Sequence, residues 1–189
     1  MSPTQLPAAA ALSLTMAGAA CAQNNSLYFN FPNGNVYDGS TPVKVEVWAG
    51  FEPQYFAWAS WKADLNGEAS GSFSNISQGL PWTLPGSSAG TAAGGSVTGI
   101  ATGQLWFSPL FFPDSSNPIL IWSGEWSTKD PTPRSLALST LTAKYYVYLP
   151  NQTSEFVVPS EASGLIQVVP VPATLLGALS LVCLGRRKR

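Results

Sequence analysis

Histidine is absent from all 189 residues. That removes Ser-His-Asp and Cys-His catalysis and every histidine-based metal site. Cysteine is almost absent: Cys21 and Cys183 each stand in a terminal apolar segment. The region between them can form no internal disulfide and no thiolate metal site, so its fold must stand on its core. Charge is scarce, at 10% of residues against about a quarter in ordinary globular chains. Cations are scarcer still, because four of the nine are Arg186, Arg187, Lys188 and Arg189. Residues 1–185 carry five basic against ten acidic side chains, a net charge of −5. Such a body is a poor electrostatic match for nucleic acid. No stretch has the period of an amphipathic helix, and no Ser-x-x-Lys spacing marks a Ser-Lys catalytic pair.

In place of charge the chain has turn formers and short apolar runs. SLYFNF (26–31), VKVEVWA (43–49), IATGQLWF (100–107), PILIWSGEW (118–126), SLALSTLT (135–142), KYYVYL (144–149), EFVV (155–158) and GLIQVV (164–169) read as strands. In YFAWASWKADL (55–65), Ala57, Ala59, Trp61, Ala63 and Leu65 share one face, and Ser60, Lys62 and Asp64 the other. That period of two marks a strand with one face buried. Asn33-Gly34, Asp38-Gly39, Asn66-Gly67, the run from Asp114 to Pro118 and the run from Asp130 to Pro133 supply turns between strands. The spacing predicts an all-β body over residues 23–168, an antiparallel β-sandwich of about 8–10 strands. Residues 85–99, PGSSAGTAAGGSVTG, have no charge and no large side chain except Val97, and are expected to form a flexible loop.

Three constellations bear on chemistry. Paired carboxylates hydrolyse glycosides, and the body's acidic residues include Glu46, Glu52, Asp64, Glu68, Asp114, Glu125 and Asp130, with Glu46 on a strand and Glu125 between Gly124 and Trp126. Solvated strand faces and turn caps account for the same residues. DLNGE (64–68) opens like a calcium loop but lacks the later ligands, and an Asn-Gly hairpin turn is the expectation there. Seven tryptophans are the compositional anomaly, and most belong in a core without disulfides. If Trp61 faces inward, strict alternation turns Trp58 outward together with Phe56. An exposed aromatic strip of that kind stacks on sugar rings; a covering layer of the sandwich is the alternative for the same two side chains. No cofactor and no metal are implied.

The two ends speak of export. Ala8–Ala20 is a small-residue apolar run, and Ala20-Cys21-Ala22 fits the A-x-A pattern of signal peptidase, which makes residues 1–22 a signal peptide and Gln23 the new N-terminus. No Lys or Arg precedes that run. Lipidation at Cys21 would call for a Leu-like residue three places earlier, where Gly18 stands. At the other end, Pro172 to Gly185 is an apolar run of fourteen residues. As a helix it reaches about 21 Å, short of the ~30 Å hydrocarbon core. The four terminal cations would keep that end in the cytoplasm. A core helix with a solvated basic end is the alternative.

Val169-Pro170-Val171-Pro172-Ala173, followed by an apolar segment and by Arg186, Arg187, Lys188 and Arg189, resembles the PEP-CTERM sorting signal of bacteria. In that family Glu usually stands where this chain has Val171. VWAGFEPQYFAWASWKADL and NPILIWSGEWSTKDPTPRSLALSTLT also resemble the bodies of some PEP-CTERM proteins. The resemblance implies residues 169–189 as a sorting signal read by an exosortase-type transpeptidase. It implies transient anchoring in the membrane through 172–185 and a final place at the cell surface or outside the cell. The function expected is therefore that of a non-enzymatic cell-surface or extracellular-matrix protein, with exopolysaccharide as a further partner. A carbohydrate-binding module is the alternative, and a glycoside hydrolase the third. With no cysteine in the body, thermal unfolding of the exported protein is expected to show the same midpoint with and without a reducing agent; a clear drop on reduction would show that a disulfide holds it.

Overall fold

The computed structural model describes residues 24–80, 83–107 and 109–169. Ala20, Ala22, Pro170–Ala173, the apolar segment 172–185, Arg186–Arg189 and Trp82 lie outside the described residues. Eleven strands occur among the described residues, in the order β1 (Ser26–Asn30), β2 (Val36–Tyr37), β3 (Val43–Gly50), β4 (Ala57–Asn66), β5 (Gly71–Gln78), β6 (Thr91–Ala93), β7 (Ser96–Gly103), β8 (Ile119–Thr128), β9 (Arg134–Tyr148), β10 (Ser154–Phe156) and β11 (Ser163–Val168). They form two sheets, one in the order β1-β3-β8-β5, the other β2-β11-β9-β4-β7-β6 with β10 added beside β9. All pairs are antiparallel except β2 with β11. The chain enters the sandwich at the end where β1, β4 and β8 begin. It leaves at the opposite end, where β11 finishes beside Tyr37. These are called the entry end and the exit end.

An all-β architecture of two facing sheets agrees with the alternating sequence pattern. The core between the sheets is dominated by four fully buried indoles. Trp122 and Trp126 descend from β8, and Trp58 and Trp61 rise from β4. Phe73 meets Trp122 edge to face at 5.8 Å, and Tyr37 meets Trp126 likewise at 5.7 Å. Two tyrosine hydroxyls stitch the sheets together. Tyr145 on β9 donates to the Gly50 carbonyl of β3 at 2.7 Å near the entry end, and Tyr37 on β2 donates to the Thr128 carbonyl of β8 at 3.0 Å near the exit end. Burial pushes the Tyr145 hydroxyl far above its ordinary pKa. It therefore stays a neutral donor.

Trp58 corrects a sequence expectation. Strict alternation puts it on the outer face, yet it is fully buried and packs in the core. The cause is a β-bulge. Trp58 pairs with Val147 and Ser60 with Tyr146, leaving Ala59 as an extra residue. One inserted residue reverses the facing of everything before it, so Trp58 and Trp61 both point inward despite their odd spacing. A second bulge, at Ala143, lets Lys62 pair with Lys144 and Ala63 with Thr142. It merges the two runs 135–142 and 144–149 into the single fifteen-residue strand β9.

Residues 85–99, expected as a flexible loop, hold β6, the turn Gly94-Gly95 and the start of β7. Small side chains are what this position needs. The Ala89 carbonyl accepts from Trp122 Nε1 at 2.9 Å, and Ser88 and Ala101 exchange backbone hydrogen bonds at 2.7 and 2.9 Å. Asn66-Gly67 does not close a hairpin either, because β4 and β5 belong to different sheets. The backbone crosses between sheets here against the β6–β7 turn. A Cβ on Gly67 would lie 2.2 Å from the Gly95 carbonyl oxygen. Strand β5, GSFSNISQ, has only Phe73 buried among its large side chains, which is why its polar sequence carries no strand signal.

Replacing Tyr37 or Tyr145 by Phe is expected to cost about 1–3 kcal/mol each, since each strands a carbonyl that had a buried donor. The two sites lie at opposite ends, so the double variant should show the sum, measured by urea unfolding.

Candidate binding surface

Between β7 and β8 the chain crosses from one sheet to the other at the entry end, and this crossing is held at its base by one side chain. Gln104 is 3% exposed. Its Nε2 donates to the carbonyls of Trp58 and, at 2.9 Å, of Asp114, while its Oε1 accepts from Asp114 N at 2.8 Å. A single amide thus clamps both ends of residues 105–113. Further along, Asn117 fixes the return: its Nδ2 donates to the Phe51 carbonyl at 2.6 Å, and its Oδ1 accepts from Phe51 N at 3.2 Å. Beside the clamp, Trp106 stacks on Phe56 with centroids 4.6 Å apart and meets Tyr148 edge-on at 5.3 Å. The Tyr148 hydroxyl donates to the Gln104 carbonyl at 3.0 Å, and burial raises its pKa above the usual value.

Above this base the chain closes a tight turn. Phe107 N donates to the Phe111 carbonyl at 2.9 Å, and Phe111 N returns the bond to Phe107 at 2.8 Å. The turn drives large apolar side chains into solvent: Phe107 is 59% exposed, Leu110 70% and Phe112 63%. No charged residue occurs from Gln104 to Pro113. Large apolar side chains exposed together on one short turn make it the candidate contact surface. The exit end is built differently. There Arg134 pairs with Glu68 and Asp130, each at 3.2 Å. Hydrogen bonds from Ser70 to Glu68 and from Thr132 to Asp130, with Arg134 adding to both, hold these carboxyls below their ordinary pKa values. An ion-pair cluster thus stands at the exit end and an exposed apolar turn at the entry end.

The residues expected to bind sugar do not form a strip. Trp58 is in the core, and Phe56, 39% exposed, is engaged with Trp106 at the base of the apolar tip. Glu46 and Glu125 do share the outer face of the four-stranded sheet, with Glu46 opposite Ser123 and Glu125 opposite Lys44. Burial works against the Glu46 charge, but bonds from Lys44 at 2.9 Å, Trp48 Nε1 at 3.0 Å and Asn30 at 2.9 Å outweigh it and lower the pKa. A glycosidase acid needs its pKa raised, so Glu46 is a poor proton donor. Asp64 caps Gly99 N at 2.8 Å, and among the described residues no three acidic, His or Cys side chains gather to hold a metal. Val169 ends the described chain at the exit end, its N donating to Tyr37 O at 3.0 Å. Phe107, Leu110 and Phe112 were missed by sequence reasoning. Their signal was six large apolar residues within LWFSPLFFP, a run that continues past the strand expected to end at Phe107.

Gln104→Ala is expected to free the tip: limited proteolysis should cut within 105–113 much faster than in the parent chain. Phe112→Ser should leave the urea midpoint nearly unchanged, within about 0.5 kcal/mol, while lowering binding of a hydrophobic dye.

No family model matches the chain, and no curated protein does. Solved structures match in fold. A cohesin module from the family 33 glycoside hydrolase of Clostridium perfringens superposes with TM-score 0.53 at 7% identity, covering 78% of this chain and 98% of that one. The seventh ScaB type I cohesin from Pseudobacteroides cellulosolvens gives 0.53 at 12%, covering 77% and 93%. A type I cohesin–dockerin complex from Clostridium thermocellum gives 0.52 at 10%, covering 77% and 100%. At such identities the likeness is one of fold: this chain is a two-sheet β-sandwich similar to cohesin modules.

Proposed function

We propose that this protein is an exported, non-enzymatic binding module of the cell surface or extracellular matrix. Its signal peptide ends at Ala22, its C-terminal segment 169–189 serves as a PEP-CTERM-like sorting signal, and its apolar tip is the contact surface. The observation that carries this reading is that the apolar turn and the chain's exit stand at opposite ends of the sandwich. The chain runs out at Val169 on the charged exit end, while Phe107, Leu110 and Phe112 crown the entry end. A tail that holds the exit end toward the membrane leaves the tip pointing away from it. The similarity in fold to cohesin modules, one of them in a cohesin–dockerin complex, lends support, since that sandwich serves protein binding there.

In this reading Pro170 and Pro172 suit the box to its enzyme, because a proline disfavours helix in the residue before it. An extended segment at the membrane surface is what a transpeptidase grips. The fourteen-residue apolar run is too short for a comfortable permanent anchor, and Arg186–Arg189 retain it until cutting. Signal peptidase and an exosortase-type enzyme are then the processing partners.

Intact mass of membrane and surface fractions from an exosortase-bearing host tests this. The surface form is expected to begin at Gln23 and to lack every residue after the box. Pro170→Ala with Pro172→Ala should leave the full-length form in the membrane. A surface form still carrying Arg189 would overturn the sorting reading in favour of a plain anchor.

A further inference from the structure

The apolar tip has a counterpart on the same molecule. Toward the exit end, the segment 31–35 approaches the edge of β11, held by Asn35 Nδ2 donating to the Leu165 carbonyl at 3.0 Å and Asn35 O accepting from Gln167 N at 2.8 Å. Between this segment and strands β9 and β11 lies a groove of about 720 Å³ lined by Phe29, Phe31, Gly34, Leu138 and Leu165, among others. Gly164 forms part of its wall: a Cβ there would lie 3.1 Å from both Phe29 Cδ2 and Phe31 Cζ, so the rings rest directly on bare backbone. None of the lining residues is charged. Leu165, 50% exposed, stands at the groove. The volume falls within the range of about 300–1,000 Å³ typical of ligand pockets.

We propose that copies of this chain associate head to tail, the tip of one seating Phe107, Leu110 and Phe112 in the groove of the next. The proposal rests on reading the tip as a contact surface and is independent of export and of the tail. Three observations choose a second copy as the occupant. Both surfaces are apolar and uncharged, so each offers the other burial with no ion to desolvate. The tip is convex and the groove concave, whereas two tips would meet convex to convex. The tip also cannot reach its own groove. It follows the end of β7, which lies level with Tyr146 of β9 through Ser60, while the groove is level with Leu138. Eight residues of strand separate them, about 26 Å at the usual rise. A contact between different patches on opposite ends does not close by two-fold symmetry. Repeated, it extends into a chain of modules. The patch is small, so each contact is weak and the assembly depends on concentration.

Sedimentation velocity of the full-length protein with two complementary variants tests this. Wild type is expected to grow in average mass with concentration beyond twice the monomer. Leu110→Glu removes the tip and Leu165→Glu the groove; both positions are exposed, so each variant should fold and remain monomeric alone. Mixed in equal amounts, the two should form a one-to-one dimer and nothing larger, because each supplies the half the other lacks. Phe112→Ser and Ala137→Glu provide a second pair if either variant fails to fold. Wild type monomeric to about 1 mM overturns the proposal, whether or not it then sediments with phosphatidylcholine vesicles, which would mark the tip as a lipid contact. Association that survives Leu165→Glu but not Leu110→Glu overturns it in favour of tip-to-tip contact. Association that survives both places the contact elsewhere, including the tail.

Discussion

Everything in this sandwich depends on a layer of four indoles held between two sheets with no covalent staple in the described chain. Large aromatic side chains bury much apolar area at low cost in side-chain freedom, which suits a body with few charges and no body cysteine. Trp58 and Trp61 from one sheet face Trp122 and Trp126 from the other. Around them Phe73 and Tyr37 pack edge to face, and Tyr37 and Tyr145 carry hydrogen bonds from sheet to sheet at either end. These two bonds fix the sliding register of the sheets, which apolar contact alone leaves loose.

That layer dictates several local irregularities. Ala59 is extruded from the ladder so that Trp58 can join the core. The Gly/Ser/Ala stretch 85–99 is ordered by what it covers, since the Ala89 carbonyl takes the Trp122 indole proton and Val97 is fully buried. Bulky residues would be pushed off by the indoles, so low complexity here answers to a close approach. The bulge at Ala143 likewise keeps β9 continuous, and β9 ties β4, β10 and β11 into one sheet.

The functional character follows from how polar and apolar surface are divided. Arg134, Glu68 and Asp130 gather where the chain leaves the sandwich. At the other end Gln104 and the Phe56–Trp106–Tyr148 stack form a stiff pedestal for three large exposed side chains. Holding apolar residues in water on a rigid support is unfavourable for the isolated molecule, and it prepays the ordering cost of any contact made there. The outer face of the four-stranded sheet uses its polar groups otherwise: Glu46 is engaged by Lys44, Asn30 and Trp48 and serves the face itself.

The sequence by itself determined the class of fold, because a period of two and frequent turn formers permit little besides paired strands. It determined that no histidine or body disulfide takes part, and it located most strands, from SLYFNF at 26–31 to GLIQVV at 164–169. The tail's order of proline box, apolar run and four cations was also legible, since composition and order are its whole content. Tertiary structure decided which face Trp58 takes, because a one-residue bulge reverses facing and leaves no mark in the pattern. It decided that Asn66-Gly67 crosses between sheets instead of closing a hairpin, since pairing partners are chosen by the whole fold. The tip and groove were decided there too. The run that holds Phe107, Leu110 and Phe112 is visible in sequence, but whether it is buried is not; the clamp at Gln104, made by contacts distant in the chain, helps hold it at the surface.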